Sequence, residues 1–411
     1  MQPHNFIIFF YKTIKMDSKN TDEFIKKIKI LIHHFNKNIK PFLNENTSTT
    51  YNYKSDIMDG LLYLLLNTQK NNTHLNSAIN ISKFNKICVS RQALDKRCKH
   101  ITLEHINKIN NDFYEIFLKD FADLFNHTDG LNVNVYDVDN NKGYKTIKLL
   151  TIVNDKNLPR DLHINKDMYK SEIKLFYDCL EKGNYDLKKH FVLDKLYFSD
   201  KFTKKMIEKK LTFIARMKDN STYLTKFNID LKNNIFNDDY EVIDNKKNKI
   251  RIINYKINNK LYHIATNLLD KDKYKLSFFK DAYKKRWNVE LFIKITKANT
   301  NLESMKTKDN LKLEINTKMI LLITMIYNYI INLYKKYSKT EKSINNSQFI
   351  KSFYDDLLIK FIKGNFNKKE LVFLFSLFLV LYIDSNKKNN KRRGIMPYRT
   401  KWHYKSVFKR I

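Results

Sequence analysis

Between Tyr283 and Lys297 the chain spaces Tyr283, Arg286, Glu290, Lys294 and Lys297 in a helical rhythm. An α-helix turning about 100° per residue carries all five along one narrow stripe. Val289, Phe292 and Ile293 fall on one flank, and Trp287, Leu291 and Ile295 on the other. One carboxylate thus stands in a line of cations and a phenol, between apolar walls. A carboxylate so placed can ligate a metal while its neighbours hold phosphates. A solvated helix face is the plain alternative. Such faces mix signs freely, tolerate any spacing and need no flanking Trp.

The charge balance points to the same class of partner. The 411 residues include 77 Lys plus Arg against 43 Asp plus Glu, a net charge of +34. That excess attracts polyanions through counterion release, with nucleic acid the natural candidate. An anionic membrane surface or an acidic protein is the rival that charge alone leaves open. The length suits two or three domains and a sizeable core. Cys88, Cys98 and Cys179 form neither a zinc spacing nor an even disulfide set, which favours a reducing compartment. Scarce Gly and Pro beside abundant Asn, Lys and Ile read as coding bias from an AT-rich genome, so Asn-rich loops carry little weight.

No Ser-His-Asp set, phosphate-cradling Gly-rich loop or His/Cys metal cluster stands out. The longest apolar runs, Met319 to Leu333 and Leu371 to Ile383, fall short of the roughly 18–20 residues a spanning helix needs. They read as buried core helices, and no membrane is expected as a partner. Phe6 to Tyr11 is apolar, but no small-residue cleavage site follows. Residues 1–15 are read as an extension, with Met16 an alternative start.

Residues 16–128 have helical periodicity, with Phe24, Ile28, Leu31 and Ile32 on one face and Ile57, Leu61, Leu62 and Leu65 on another. Ser90 is a fitting N-cap for a helix opening with Arg91 and Gln92. A helix, a turn and this basic second helix make a helix-turn-helix, with Arg91 and Gln92 as DNA-reading candidates. A simple surface helix weighs equally.

From Leu131 the period becomes two. Val133 to Val138, Thr146 to Val153 and Leu158 to Ile164 read as three antiparallel strands. A helix over 171–180, a strand His190 to Asp194, a helix Phe202 to Lys210 and a strand Leu211 to Met217 follow. Ile250 to Tyr255 and Lys260 to Thr266 read as a small separate sheet within 219–270. Residues 311–384 are helical again, and 385–411 form a basic tail with Lys387, Lys388, Arg392 and Arg393. The tail is a candidate for DNA backbone or nuclear import, and equally a solvated terminus.

The Tyr283-x2-Arg286-x3-Glu290-x6-Lys297 spacing resembles the Tyr-Arg-Glu-Lys signature of the IS4-type transposases, DDE enzymes with an RNase H-like core. Tyr262-His-Ile-Ala-Thr-Asn-Leu-Leu269 resembles the strand before that helix, and the likeness runs roughly from Val133 to Tyr334. It implies an α/β fold: an RNase H-like core over 129–218 and 271–310, a β-rich insertion over 219–270, and flanking helical regions. It also implies Asp194, ending an apolar strand ahead of Tyr197 and Ser199, as the second acid and Glu290 as the third. Asp139 ends a strand as the family's first acid does, but Asn140 and Asn141 stand where the family has Gly and then Thr or Ser. Asp137, on the same face, and Asp129, in an Asp-Gly pair ahead of the expected strand, remain alternatives.

By this resemblance Asp139, Asp194 and Glu290 are expected to hold two Mg²⁺, with Mn²⁺ able to substitute. Tyr283, Arg286 and Lys297 would grip phosphates of the terminal strand. Trp287, Tyr262 and His263 are candidates for stacking on a displaced base, although packing is the stronger reading for all three. The implied function is cleavage at transposon ends and joining of the 3′-hydroxyl to target double-stranded DNA, by an intracellular homodimer. A decayed or repurposed DNA-binding transposase is one rival, favoured by the residues after Asp139. A basic protein that coats nucleic acid is the other.

Overall fold

The structure is a computed structural model describing residues 18–45, 55–121, 125–136, 144–165, 171–182, 189–219, 221, 239–243, 248–257, 260–305, 309–338 and 344–377. The first part is helical: α1 (Ser18–His34), α2 (Lys40–Glu45), α3 (Ile57–Leu66), α4 (His74–Asn85), α5 (Arg91–Cys98) and α6 (Leu103–Asp120). Side-chain caps set where these helices start. Asp56 and Asp59 exchange a capping box at α3, Thr73 caps α4, Ser90 caps α5 and Thr102 caps α6. Lys86, in the left-handed region at φ 56°, ends α4 and begins the turn into α5. The helix-turn-helix order expected from sequence is therefore present as α4 and α5.

A mixed sheet follows. It contains β1 (Phe125–Tyr136), β2 (Tyr144–Asn154), β3 (Pro159–Asn165), β4 (His190–Leu193), β5 (Thr212–Arg216), β6 (Asp239–Ile243), β7 (Lys249–Ile257), β8 (Lys260–Thr266) and the short β9 (Ser304–Met305). The strand order is β3-β2-β1-β4-β5-β8-β7-β6, with β9 beside β1. β1, β2 and β3 form an antiparallel meander, whereas β1, β4 and β5 run parallel. Between strands lie α7 (Glu172–Lys182) and α8 (Asp200–Glu208).

Two expectations change. β1 starts at Phe125, six residues ahead of Leu131, because Phe125, His127 and Thr128 are buried and Asn126 to Gly130 complete the ladder with β2. The insertion is not a separate sheet either. β8 pairs antiparallel with β5 from Ile214↔Thr266 to Arg216↔Ile264, so the insertion strands extend the central sheet. That union covers the edge that β5 would otherwise expose.

Helices cover both faces of the sheet. Leu175, Phe176, Phe202 and Met206 of α7 and α8 pack with Phe191, Leu193, Phe213 and Ala215 on one face. The other face joins Val192, Ile214 and Ile264 to Phe279, Ala282 and Tyr283 of α9 (Leu276–Lys285). Then come α10 (Trp287–Asn299), α11 (Asn310–Ser338), α12 (Asn346–Ser352), α13 (Leu358–Lys363) and α14 (Lys368–Leu377). The long α11 runs through the main apolar core, against α1 and α6. No helix among the described residues is long and apolar enough to cross a membrane.

Candidate active site

The expected stripe spans α9 and α10, which meet at Arg286 with helical backbone angles, φ −55° and ψ −32°. Its two flanks differ. Val289 and Phe292 are buried, whereas on the other flank Trp287 is 57% exposed and Leu291 39%, and only Ile295 packs against the core. Among the described residues Trp287 is therefore packed only in part. His263 is buried and bonded to Asn254 at 2.7 Å. Tyr262 stacks on Tyr255 at 5.4 Å, meets Tyr283 edge-on at 5.8 Å and lies beneath Arg216.

Asp194 directly follows β4. The parallel pairing of β1 with β4 runs Phe125↔His190, Asn126↔Phe191 and His127↔Val192. Extending that register by two residues sets Asp129 opposite Asp194. Side chains alternate along strands, so Asp129 shares the His127 face and Asp194 the Val192 face, both towards α9 and α10. Tyr283 donates a 3.3 Å hydrogen bond to Asp194. Burial pushes the Tyr283 phenol up to about 12, with Arg286 opposing the shift and Asp194 adding to it.

Arg286 donates to the Glu290 carboxylate, and its charge also acts on Asp194 and Asp129. Its Nε is buried without a hydrogen-bond partner. Asp129 and Glu290 line one open cleft of about 650 Å³ with Gly130, Ile293, Lys294, Lys297, Ala298, Glu303 and Lys70. Burial first, then the charges of Glu172 and Glu290, push the Asp129 carboxyl up to about 6. Glu172 opens α7 and lies against Gly130, where an added Cβ would come within 2.3 Å of it. Tyr197, almost wholly buried, donates to Glu172, and its pKa is raised by burial and by Glu172, Asp129 and Asp194. Glu172 and Glu290 thus act on Asp129, and Asp194 is linked to them through Tyr197 and Arg286.

Among the described residues, no three His, Cys, Asp or Glu side chains stand close enough as placed to share one ion. The donor set still suits a hard cation. It is all oxygen, and the Asp129 carboxyl is raised by burial and by the charges of Glu172 and Glu290, which a bound cation would offset.

Asp137 and Asp139 lie outside the described residues, as do Lys387, Lys388, Arg392 and Arg393. Lys297 lines the cleft and pairs with Glu303 at 2.6 Å. Arg91 and Gln92 are exposed in the first turn of α5, and Arg91 meets Asp95 at 3.4 Å. Sequence reasoning passed over Glu172 and Lys70, which no motif marks. It also missed the fully buried His127, whose Nε2 bonds Asp155 at 2.6 Å. Burial works against the Asp155 carboxylate, but hydrogen bonds from His127 and Lys285 hold it below the usual range. This chain of contacts ties β1, the β2–β3 turn and the end of α9 together beneath the cleft.

With this geometry in place, comparison with known families is informative. Residues 128–329 match the family described as transposase DDE domain. The match supports a DDE transposase family, and it begins one residue before Asp129. A cryo-EM structure of the piggyBac transposase synaptic complex with hairpin DNA is 11% identical, covering 89% of this chain and 87% of that one at a TM-score of 0.42. No curated protein matches significantly.

Proposed function

We propose that this protein is an IS4-type DNA transposase with an RNase H-like core, which cleaves at transposon ends and joins the 3′-hydroxyl to target DNA. The observation that carries the reading is the Asp129 carboxyl. It is half-buried, raised to about 6 by burial first and then by Glu172 and Glu290, in register with Asp194 and in one cleft with Glu290 of the Tyr-Arg-Glu-Lys helix. The β3-β2-β1-β4-β5 order, an antiparallel meander followed by parallel strands, supports the RNase H-like core. In this reading Asp129 takes the place first given to Asp139, because its Asp-Gly pair lies inside β1 and not ahead of it.

Asp129, Asp194 and Glu290 would hold the Mg²⁺ ions, with Mn²⁺ able to substitute. Bound there, the metals would activate an attacking hydroxyl and stabilise the leaving oxygen. Tyr283 orients Asp194 through its hydroxyl, and Tyr197 orients Glu172 beside Asp129. Arg286 is released from Glu290 to a DNA phosphate, for which its planar fork is suited, and Lys297 supplies a point charge. Arg91 and Gln92 would read DNA from α5, and Lys387, Lys388, Arg392 and Arg393 would grip its backbone. The active form would be an intracellular, DNA-associated homodimer that synapses two ends.

The test is cleavage of DNA that flanks the reading frame, in Mg²⁺. Wild type should nick or cut it, and Glu290→Gln should be slower by at least about a thousandfold while still binding. Glu290→Gln cutting at the wild-type rate defeats the assignment. A wild type that binds this DNA but never cuts it in Mg²⁺ or Mn²⁺ favours the DNA-binding descendant. The side chains as placed, with no shared three-acid cluster among the described residues, give that second reading its footing.

A further inference from the structure

The acidic cleft receives one cation from outside the segment that matches the DDE domain. The chain leaving α3 is fastened to the C-terminal end of α10 by its backbone. Lys70 N donates to Asn299 O at 3.0 Å, and Asn301 N donates to Thr68 O at 2.8 Å. Gln69 bridges to Thr300, and Asn301 Nδ2 donates to Asn67 O at 2.9 Å. Thr68, buried at 1% exposure, anchors the stretch from below through a 2.8 Å bond to Tyr354. On this fixed backbone the exposed Lys70 side chain lines the cleft shared by Asp129 and Glu290.

The charges in the cleft differ in how they are matched. Lys297 is paired with Glu303 at 2.6 Å. Among the described residues Lys70 meets a carbonyl oxygen, that of Lys297, at 3.3 Å, and no carboxylate. Its ammonium is therefore not neutralised by a carboxylate. Lys297 lies two helical turns beyond Glu290, about 10 Å along α10. Lys70 thus stands beside Lys297, away from Glu290 along the same cleft.

We propose that Lys70 is a positioning residue that holds a DNA phosphate in this cleft, so that the N-terminal helical region contributes directly to seating the strand. The proposal rests on the DNA-cleaving reading of the same cleft. A lysine suits the role as a mobile point charge on a fixed main chain. One neutralised phosphate changes the salt dependence of binding by a defined increment.

The experiment measures binding of a fluorescently labelled, mixed-sequence DNA duplex across a salt series, without divalent ions. Lys70→Gln should weaken binding several-fold and flatten the log–log salt slope by about 0.9. Lys70→Arg should restore both. Lys204→Gln, which removes an exposed lysine from α8 on the opposite sheet face, should change neither. A salt slope in Lys70→Gln equal to wild type overturns the proposal. So does Lys70→Arg as defective as Lys70→Gln, or early melting of Lys70→Gln, since each makes the residue structural. The Glu290→Gln cleavage test fails or succeeds independently of this slope, so the two readings fall separately.

Discussion

Helices α10 and α11 are neighbours in sequence and opposite in character. α11 buries residues almost all round, from Leu313 through Met319, Leu322, Ile326 and Ile330 to Leu333. Three of its buried polar side chains return to their own helix: Thr317, Thr324 and Asn328 donate to the carbonyls four residues back at 2.9, 2.8 and 2.9 Å, while Tyr329 donates to Asp120 of α6. α10 buries only a seam of Val289, Phe292 and Thr296. Its charged face meets other charged groups across a cleft, and Arg286 Nε is left without a partner. In α11 Thr317, Thr324 and Asn328 are satisfied within the helix and the packing supplies stability. At α10 polar groups are left to be satisfied by something else, which is the physical mark of a site.

The largest test of this contrast is Glu290→Gln. It should abolish cleavage yet leave the melting temperature near wild type, since the side chain is partly exposed and, among the described residues, its ion pair is with Arg286 of its own helix junction. Leu322→Ala, in the middle of α11 and fully buried, should do the reverse. It should cost about 2–5 kcal/mol of stability through the cavity it leaves, read by denaturant unfolding. If Leu322→Ala unfolds no more easily than a surface variant, α11 is not the core that its burial describes.

Asp129 sharpens the comparison through pH. Its folded carboxyl lies at about 6, above the ordinary 3.8. Between those values the folded state binds more protons than the unfolded one, so stability falls as pH rises through that window. The two-unit difference corresponds to an upper bound of roughly 3 kcal/mol. Asp129→Asn should remove this slope, and a divalent cation should recover stability above pH 6 in wild type but not in the variant. Equal pH profiles for the two proteins would remove the strain attributed to the carboxylate cluster. The smallest effect is expected of Trp287→Ala, within about 0.5 kcal/mol, because the ring lies mostly in solvent. A cost comparable to Leu322→Ala would mean that Trp287 packs like a core residue after all.

Much of the fold was legible in local patterns. Ser90 marked the start of α5 and alternation marked β2, β4 and β8 within a residue or two, because caps and strand periodicity are written in neighbouring residues. β1 was entered too late because the helical reading ran to residue 128 and the polar Asn126, His127, Thr128 and Asp129 carry no strand alternation of apolar residues. Only pairing with β2 and β4 makes it a strand. β6 was missed, and β8 was assigned to a separate sheet, since strand partners are chosen across long sequence separations.

For this protein the sequence by itself determined the stripe from Tyr283 to Lys297, the apolar length of α11 and the net charge of +34, all properties of short-range spacing or composition. Tertiary structure decided which acids meet. Asp129 reaches the cleft through the β1–β4 register, Glu172 through its packing on Gly130, and Lys70 through backbone bonds to Asn299. The environment that raises the Asp129 carboxyl, burial first and acidic neighbours second, exists only after folding. It depends on distances between side chains from strands and helices far apart in the chain, and no local pattern encodes those distances.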